Sequence, residues 1–375
     1  MKKYLFVEPS FPIPPKSRNH SDFLPIGLLK LASYHRKKGH RVKLNRGNQL
    51  AGFYPDKIFI TSLFTYWSSY VKDAVTFYRR KYPRAIIEVG GIYATLMPDH
   101  CKEFTGCDKV FIGQHNGADK CLPAYDLVNV KFQIIHGMRG CSRKCPFCGI
   151  WKIENKSYKT ADEIRNEICS NKIIFYDNNI LDNPNIEEIL TMLSHVTYKG
   201  RPVTCECQSG FDGRKIEEEP HLANMIKKAR FRNIRVAWDF TYEQYSKVEN
   251  WIKLLVNAGY KRRDIFVFMI YNWSFDYFEL EQKRSKCFEW GVQIADCRFR
   301  PLNQTFDNYN SRLTEQSRSE YYIHSNWSDQ QIRKFRKDVR KHNICLRYKI
   351  LWKVYEQKFE RLNSKKHLIL TDLKE

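Results

Sequence analysis

The chain has 375 residues and carries 64 Lys+Arg against 41 Asp+Glu, a formal net charge of +23. Hydrophobic residues at 42% and aromatics at 14% exclude a disordered chain, and the length fits two or three domains. No stretch approaches the roughly 18 apolar residues of a membrane span, and the run Leu5-Phe6-Val7 meets Glu8 and prolines too soon for a signal-peptide core, so a cytoplasmic protein with reduced thiols is expected.

The first ~125 residues alternate strand-like and helix-like segments. Strands are expected at Tyr4–Val7, Arg41–Leu44, Lys57–Thr61, Ala85–Val89 and Lys109–Ile112. Helices are expected at Ile26–Lys38, stopped by Gly39, and at Tyr70–Lys81, ended by Pro83. This alternation is that of a parallel sheet covered on both faces, a Rossmann-like domain over 1–125. Gly90-Gly91 ends one strand, where such sheets receive ligands, although two glycines also make a tight turn.

A polar connection leads to a second series. Its strands are expected at Phe132–His136, Lys172–Tyr176, Val203–Cys207, Ile234–Trp238, Ile265–Ile270 and Val292–Cys297. Helices are expected at Ile186–His195, Ala223–Ala229, Tyr245–Val256 and Phe278–Trp290. Six strand–helix units over 130–305 suggest an incomplete (β/α)6 barrel of the TIM type, with its chemistry at the carboxyl ends of the strands. The fold class is thus α/β: sheet domain, partial barrel, then a helical extension.

The extension, 306–375, is basic. Residues 331–375 hold 14 Lys+Arg and 5 Asp+Glu. Trp327-Ser328-Asp329 marks a helix start with Ser328 as its cap. Phe335, Val339, Cys345, Ile350, Val354 and Phe359 form a loose apolar face. The basic face is either a solvated surface or a nucleic-acid surface. Because the other +14 is spread over 330 residues, composition bias explains most of the excess.

Twelve cysteines require an account. Nine of them (101, 107, 121, 169, 205, 207, 287, 297 and 345) are scattered, as small buried residues would be. The other three stand together in Gly140-Cys141-Ser142-Arg143-Lys144-Cys145-Pro146-Phe147-Cys148-Gly149, just after the first barrel strand. A structural zinc site normally takes four ligands, and no fourth stands at zinc-like spacing. His136 reads better as a core or strand-end residue. Three thiolates on one loop suit three irons of a [4Fe-4S] cluster, leaving the fourth iron open.

The Cys-x3-Cys-x-aromatic-Cys spacing, with Phe147 as the aromatic, resembles the radical S-adenosylmethionine superfamily over roughly 130–305. The resemblance implies that Cys141, Cys145 and Cys148 ligate the cluster and that S-adenosylmethionine is chelated at the open iron. Reductive cleavage would give a 5′-deoxyadenosyl radical acting on a substrate the sequence does not name. Phe147 would lie near the adenine. Asp177 and Asn178 stand where the superfamily often has Gly-Gly-Glu, and both can accept from the methionine ammonium, although Asp and Asn also favour turns. Gln208 and Ser209 would bond ribose hydroxyls, and Arg214 would pair with the carboxylate. Asp239 is a further cofactor candidate; Tyr271, Asn272, Arg298 and Arg300 end later strands as substrate-facing or rim residues. A ferredoxin or flavodoxin is the implied reductant.

Residues ~1–125 resemble the cobalamin-binding-like domain that precedes the barrel in one branch of that superfamily. Pro25 to Ala32, Gly39 to Val42, Pro83, Gly90-Gly91, Ala94-Thr95 and Pro98 carry the match. Gly113-Gln114-His115-Asn116-Gly117 replaces the usual Gly-Glu-Gly-Glu, and no Asp-x-His-x-x-Gly element is present. The domain is therefore either a cobalamin holder for methyl transfer or a scaffold. A reading of another class is a non-enzymatic basic protein whose cysteines hold a structural metal or sense redox state while it binds nucleic acid.

Overall fold

A computed structural model describes residues 1–13 and 23–350. The chain is mixed α/β. Strands β1 (Lys3–Glu8), β2 (Arg41–Arg46), β3 (Lys57–Ser62), β4 (Ile86–Gly91) and β5 (Lys109–Val110) form one parallel sheet in the order β2-β1-β3-β4-β5. Alternation along β1 explains why both faces are covered. Leu5 and Val7 pack on one side with Val71, Ala74 and Val75 of helix α2 (Ser68–Lys81). Tyr4 and Phe6 pack on the other with Leu28 and Ala32 of helix α1 (Ile26–Lys37). Gly39 stops α1 at φ +76°.

Gly91 is required by the protein's own backbone. It sits at φ +104°, and a Cβ there would lie 2.2 Å from the Ser62 carbonyl oxygen. The Ser62 hydroxyl donates to the Gly90 carbonyl at 2.9 Å. Close approach of β3 to β4 thus accounts for Gly91.

The second series supplies β6 (Gln133–Ile135), β7 (Lys172–Phe175), β8 (Thr204–Cys207), β9 (Ile234–Ala237), β10 (Ile265–Tyr271) and β11 (Gln293–Arg298). They form two parallel three-stranded sheets, β6-β7-β8 and β9-β10-β11. Bridges Cys205↔Phe231 and Phe211↔Val236 link β8 to the entry of β9, so the six strands lie in chain order. Ile186–His195 is a helix with the expected bounds, its Ile189, Leu190 and Leu193 fully buried. Helix α1 joins the two units: Leu29 packs with Phe132, Ile134 and Ile174.

Helix Asp329–Tyr348 begins with a full capping box, Ser328 with Gln331. Phe335, Val339 and Cys345 are buried, and Ile332 joins them. Val354 and Phe359 lie outside the described residues. No described helix is long and apolar enough to cross a membrane. Of the nine scattered cysteines, seven are buried, while Cys169 and Cys297 are exposed. Helices Pro98–Thr105 and Ala161–Glu167 go beyond the sequence reading; the second carries a capping box between Thr160 and Glu163.

Candidate functional site: a cysteine loop beside a charged cleft

The loop 140–149 leaves the carboxyl end of β6 after a short antiparallel pair, Met138–Arg139 with Ser157–Tyr158. Gly140 turns the chain at φ +69°. The loop then folds on itself: the Cys148 N–H donates to the Cys145 carbonyl at 3.0 Å, and the Arg143 N–H approaches the Cys141 sulfur at 3.4 Å. Trp151 Nε1 donates to that same Cys145 carbonyl at 3.3 Å, and the Ser142 N–H to Asp182 at 3.1 Å. Cys141, Cys145 and Cys148 are all free and half-buried. Burial pushes the Cys145 and Cys148 thiols up, a direction that a bound cation reverses.

Beside the loop lies a cleft of about 360 Å³, lined by Cys145, Phe147, Arg143, Arg214, Asp239 and Trp251 among others. Four of the expected site residues therefore meet there: Cys145, Phe147, Arg214 and Asp239. Phe147 presents its ring edge to Trp273 at 6.2 Å. Burial pushes the Asp239 carboxyl up to about 6, against the pull of Arg143 and Lys283. Arg214 is exposed and folds back on Asp212, Nε at 3.1 Å from Oδ1.

Asp212 is a cleft residue outside the candidates drawn from the sequence. Its carboxylate caps the helix Gly213–Glu218 and faces Arg143 at 3.4 Å and Asn179 at 3.5 Å. Its position as Asp before Gly-Arg at a helix start was the available signal. Glu154, which does not line the cleft, is another residue outside those candidates. One oxygen accepts from Gly140 N–H at 3.2 Å and from Asn178 Nδ2 at 2.7 Å; the other accepts from Arg139 at 3.0 Å. No sequence signal marks it.

The remaining candidates divide. Asn178 is half-buried beside Glu154, its Nδ2 engaged and its Oδ1 left for another donor. Gln208 follows β8 with its Oε1 buried and unpartnered, and Ser209 is exposed. Asp177 lies behind the loop rather than on the cleft. It is fully buried, and its two oxygens accept the Gly137 and Met138 N–H groups at 3.0 and 2.5 Å. Burial pushes this carboxyl up to about 7 although both N–H groups favour its charge. His136 is 6% exposed, directly follows β6 and has an unpartnered Nδ1.

The ends of β10 and β11 are consumed internally. Asn272 sits at φ +57°, donating to the Tyr322 carbonyl at 2.8 Å and accepting the His324 N–H at 2.9 Å. Tyr271 is buried, and Arg298 and Arg300 both clasp Asp307. These four residues fix the segment after β11 and do not line the cleft.

A second cavity of about 410 Å³ lies at the carboxyl ends of β1, β3 and β4, between Tyr66, Trp67, His100, Phe104 and residues 305–308. His115 is spent locally: its Nδ1 accepts the Ala118 N–H at 3.1 Å and its ring meets Tyr34. Comparison with known proteins finds no matching family model and no matching curated protein.

Proposed function

We propose that the chain is a radical S-adenosylmethionine enzyme with a [4Fe-4S] cluster on Cys141, Cys145 and Cys148. The observation that carries this reading is the meeting of the Cys-x3-Cys-x2-Cys loop with Phe147, Arg214 and Asp239 on one cleft. That cleft stands at the carboxyl ends of parallel strands in chain order, which we read as the incomplete (β/α)6 barrel. The donor set fits the cluster: three free thiols on one folded loop. When bound, the cluster supplies the electron that cleaves S-adenosylmethionine.

The surrounding residues have separable tasks in this reading. Phe147 offers a flat apolar edge to the adenine. Asn178 Oδ1 and Asp239 accept from the ammonium. Gln208 Oε1, buried without a partner, awaits a hydroxyl donor, with Ser209 beside it. Arg214, whose own side chain is about half exposed, leaves Asp212 to pair with the carboxylate, while Asp212 keeps Arg143. Asp177 holds the loop from behind. The amino-terminal sheet acts as scaffold, since Gly91 and His115 are both committed to internal contacts. A ferredoxin- or flavodoxin-type reductant, a cytoplasmic setting and a substrate still to be named complete the reading.

The test is anaerobic reconstitution with iron and sulfide. Brown protein that releases 5′-deoxyadenosine when reduced with S-adenosylmethionine is the expected result. Colourless protein holding stoichiometric zinc would overturn it.

A further inference from the structure

We propose that Arg139 is a positioning residue that fastens the start of the cysteine loop to the amino-terminal sheet unit. The inference rests on reading that loop as the cluster site. Arg139 stands two residues before Cys141, with 16% of its side chain exposed. Its Nη2 donates to Asp119 Oδ1 at 2.9 Å, and its Nη1 donates to Glu154 Oε1 at 3.0 Å.

Each carboxylate carries the connection further. Asp119 follows the five-stranded sheet and receives Lys30 Nζ twice, at Oδ1 and at its own carbonyl, both at 2.9 Å. Lys30 belongs to α1 and is only 7% exposed. Glu154 uses its other oxygen on the Gly140 N–H and on Asn178. One unbroken chain of contacts therefore runs from α1 to the backbone that enters the cysteine loop.

Geometry and charge both single out arginine. Two cations, Lys30 and Arg139, face two carboxylates, Asp119 and Glu154, so the group is balanced as it stands. A guanidinium is a rigid fork whose separate N–H groups reach two acceptors at once; an ammonium is a point charge on a flexible stem. With little exposure, removing Arg139 leaves Asp119 with Lys30 alone and Glu154 without its cation. Gly140 also runs close to the next segment: a Cβ there would lie 3.1 Å from the Asn155 and Lys156 backbone. Glu154 thus holds the N–H of the residue that precedes Cys141.

The test compares wild type with Arg139→Ala, Arg139→Lys and Glu154→Gln as full chains. Backbone hydrogen exchange is read on metal-free protein; iron per chain and the electron paramagnetic resonance line shape are read after anaerobic reconstitution. Arg139→Ala is expected to speed exchange at 140–148 by about tenfold while β10 keeps its wild-type rate. It should also lower bound iron or broaden the resonance. Arg139→Lys should fall between the two. Should Arg139→Ala fail to fold, Glu154→Gln is read alone, and faster exchange at 140–148 with β10 unchanged is expected. Unchanged loop exchange, or equal acceleration in β10, overturns the proposal. Wild type without iron but with a responsive loop overturns the cluster reading and leaves the positioning role standing.

Discussion

The Asp177 carboxylate accepts the Met138 backbone N–H at 2.5 Å and the Gly137 N–H at 3.0 Å. The second residue after β7 thereby grips the segment between β6 and Cys141. A Cβ at Gly137 would lie 3.1 Å from Asp177 Oδ1, so the carboxylate is packed closely against the Gly137 backbone. Replacing Asp177 by Ala strands two buried donors, each costing on the order of 1–3 kcal/mol. Asp177→Asn retains one acceptor and should lose less. Denaturant titration of both variants checks this; equal stability to wild type would remove Asp177 from its positioning role.

Cysteine variants should separate into two classes. Cys141→Ala, Cys145→Ala and Cys148→Ala are each expected to lose bound iron with little change in thermal midpoint. Cys205→Ala and Cys287→Ala remove fully buried sulfurs, so they should cost about 1–3 kcal/mol of stability and keep the iron. Iron analysis with parallel thermal melts decides; loss of iron across both classes would contradict the ligand assignment.

Gly213 opens the helix on the cleft wall. A Cβ there would lie 2.1 Å from the Trp251 ring, a contact no side chain tolerates. Trp251 is 2% exposed and its Nε1 donates to Glu217 at 2.9 Å. Gly213→Ala must move that indole and should cost about 1–3 kcal/mol. A shifted tryptophan emission with a lowered melting midpoint is the expected record, and an unchanged spectrum would argue against the packing described.

Arg235 and Glu206 form an ion pair at 2.7 Å, with side chains 6% and 5% exposed. Arg235→Met leaves Glu206 buried and charged, at a cost of about 3–5 kcal/mol. Adding Glu206→Gln removes that charge, so the double variant should recover part of the loss. Additive single effects in a double-mutant cycle would mean the pair does not interact.

Asp119 gives stability an acid limb. Burial alone raises this carboxyl, but Arg139 and Lys30 more than offset it and hold it well below the usual range. A depressed folded-state pKa means the contribution is full above the unfolded value of about 3.9 and is lost as pH falls below it. Melting midpoints measured from pH 6 to 3 should therefore fall less steeply in Asp119→Asn than in wild type. Parallel curves would show that this carboxyl does not set the acid response.

The sequence by itself determined most of the elements and the chemistry-bearing loop. Periodicity placed Ile186–His195 with its observed bounds, Ser328 marked the cap of its helix, and the Cys141, Cys145 and Cys148 spacing marked the loop, because these signals are local. Tertiary structure decided which strand-end residues remain open. Asp177, Asn272 and Arg298 have the composition of ligands, yet their partners at Met138, Tyr322 and Asp307 consume them. Asp212 and Glu154 look ordinary in the chain and become junctions in the fold. A polar side chain's role depends on which donors and acceptors surround it once water is gone, and those come from segments distant in sequence that only folding brings within hydrogen-bond reach.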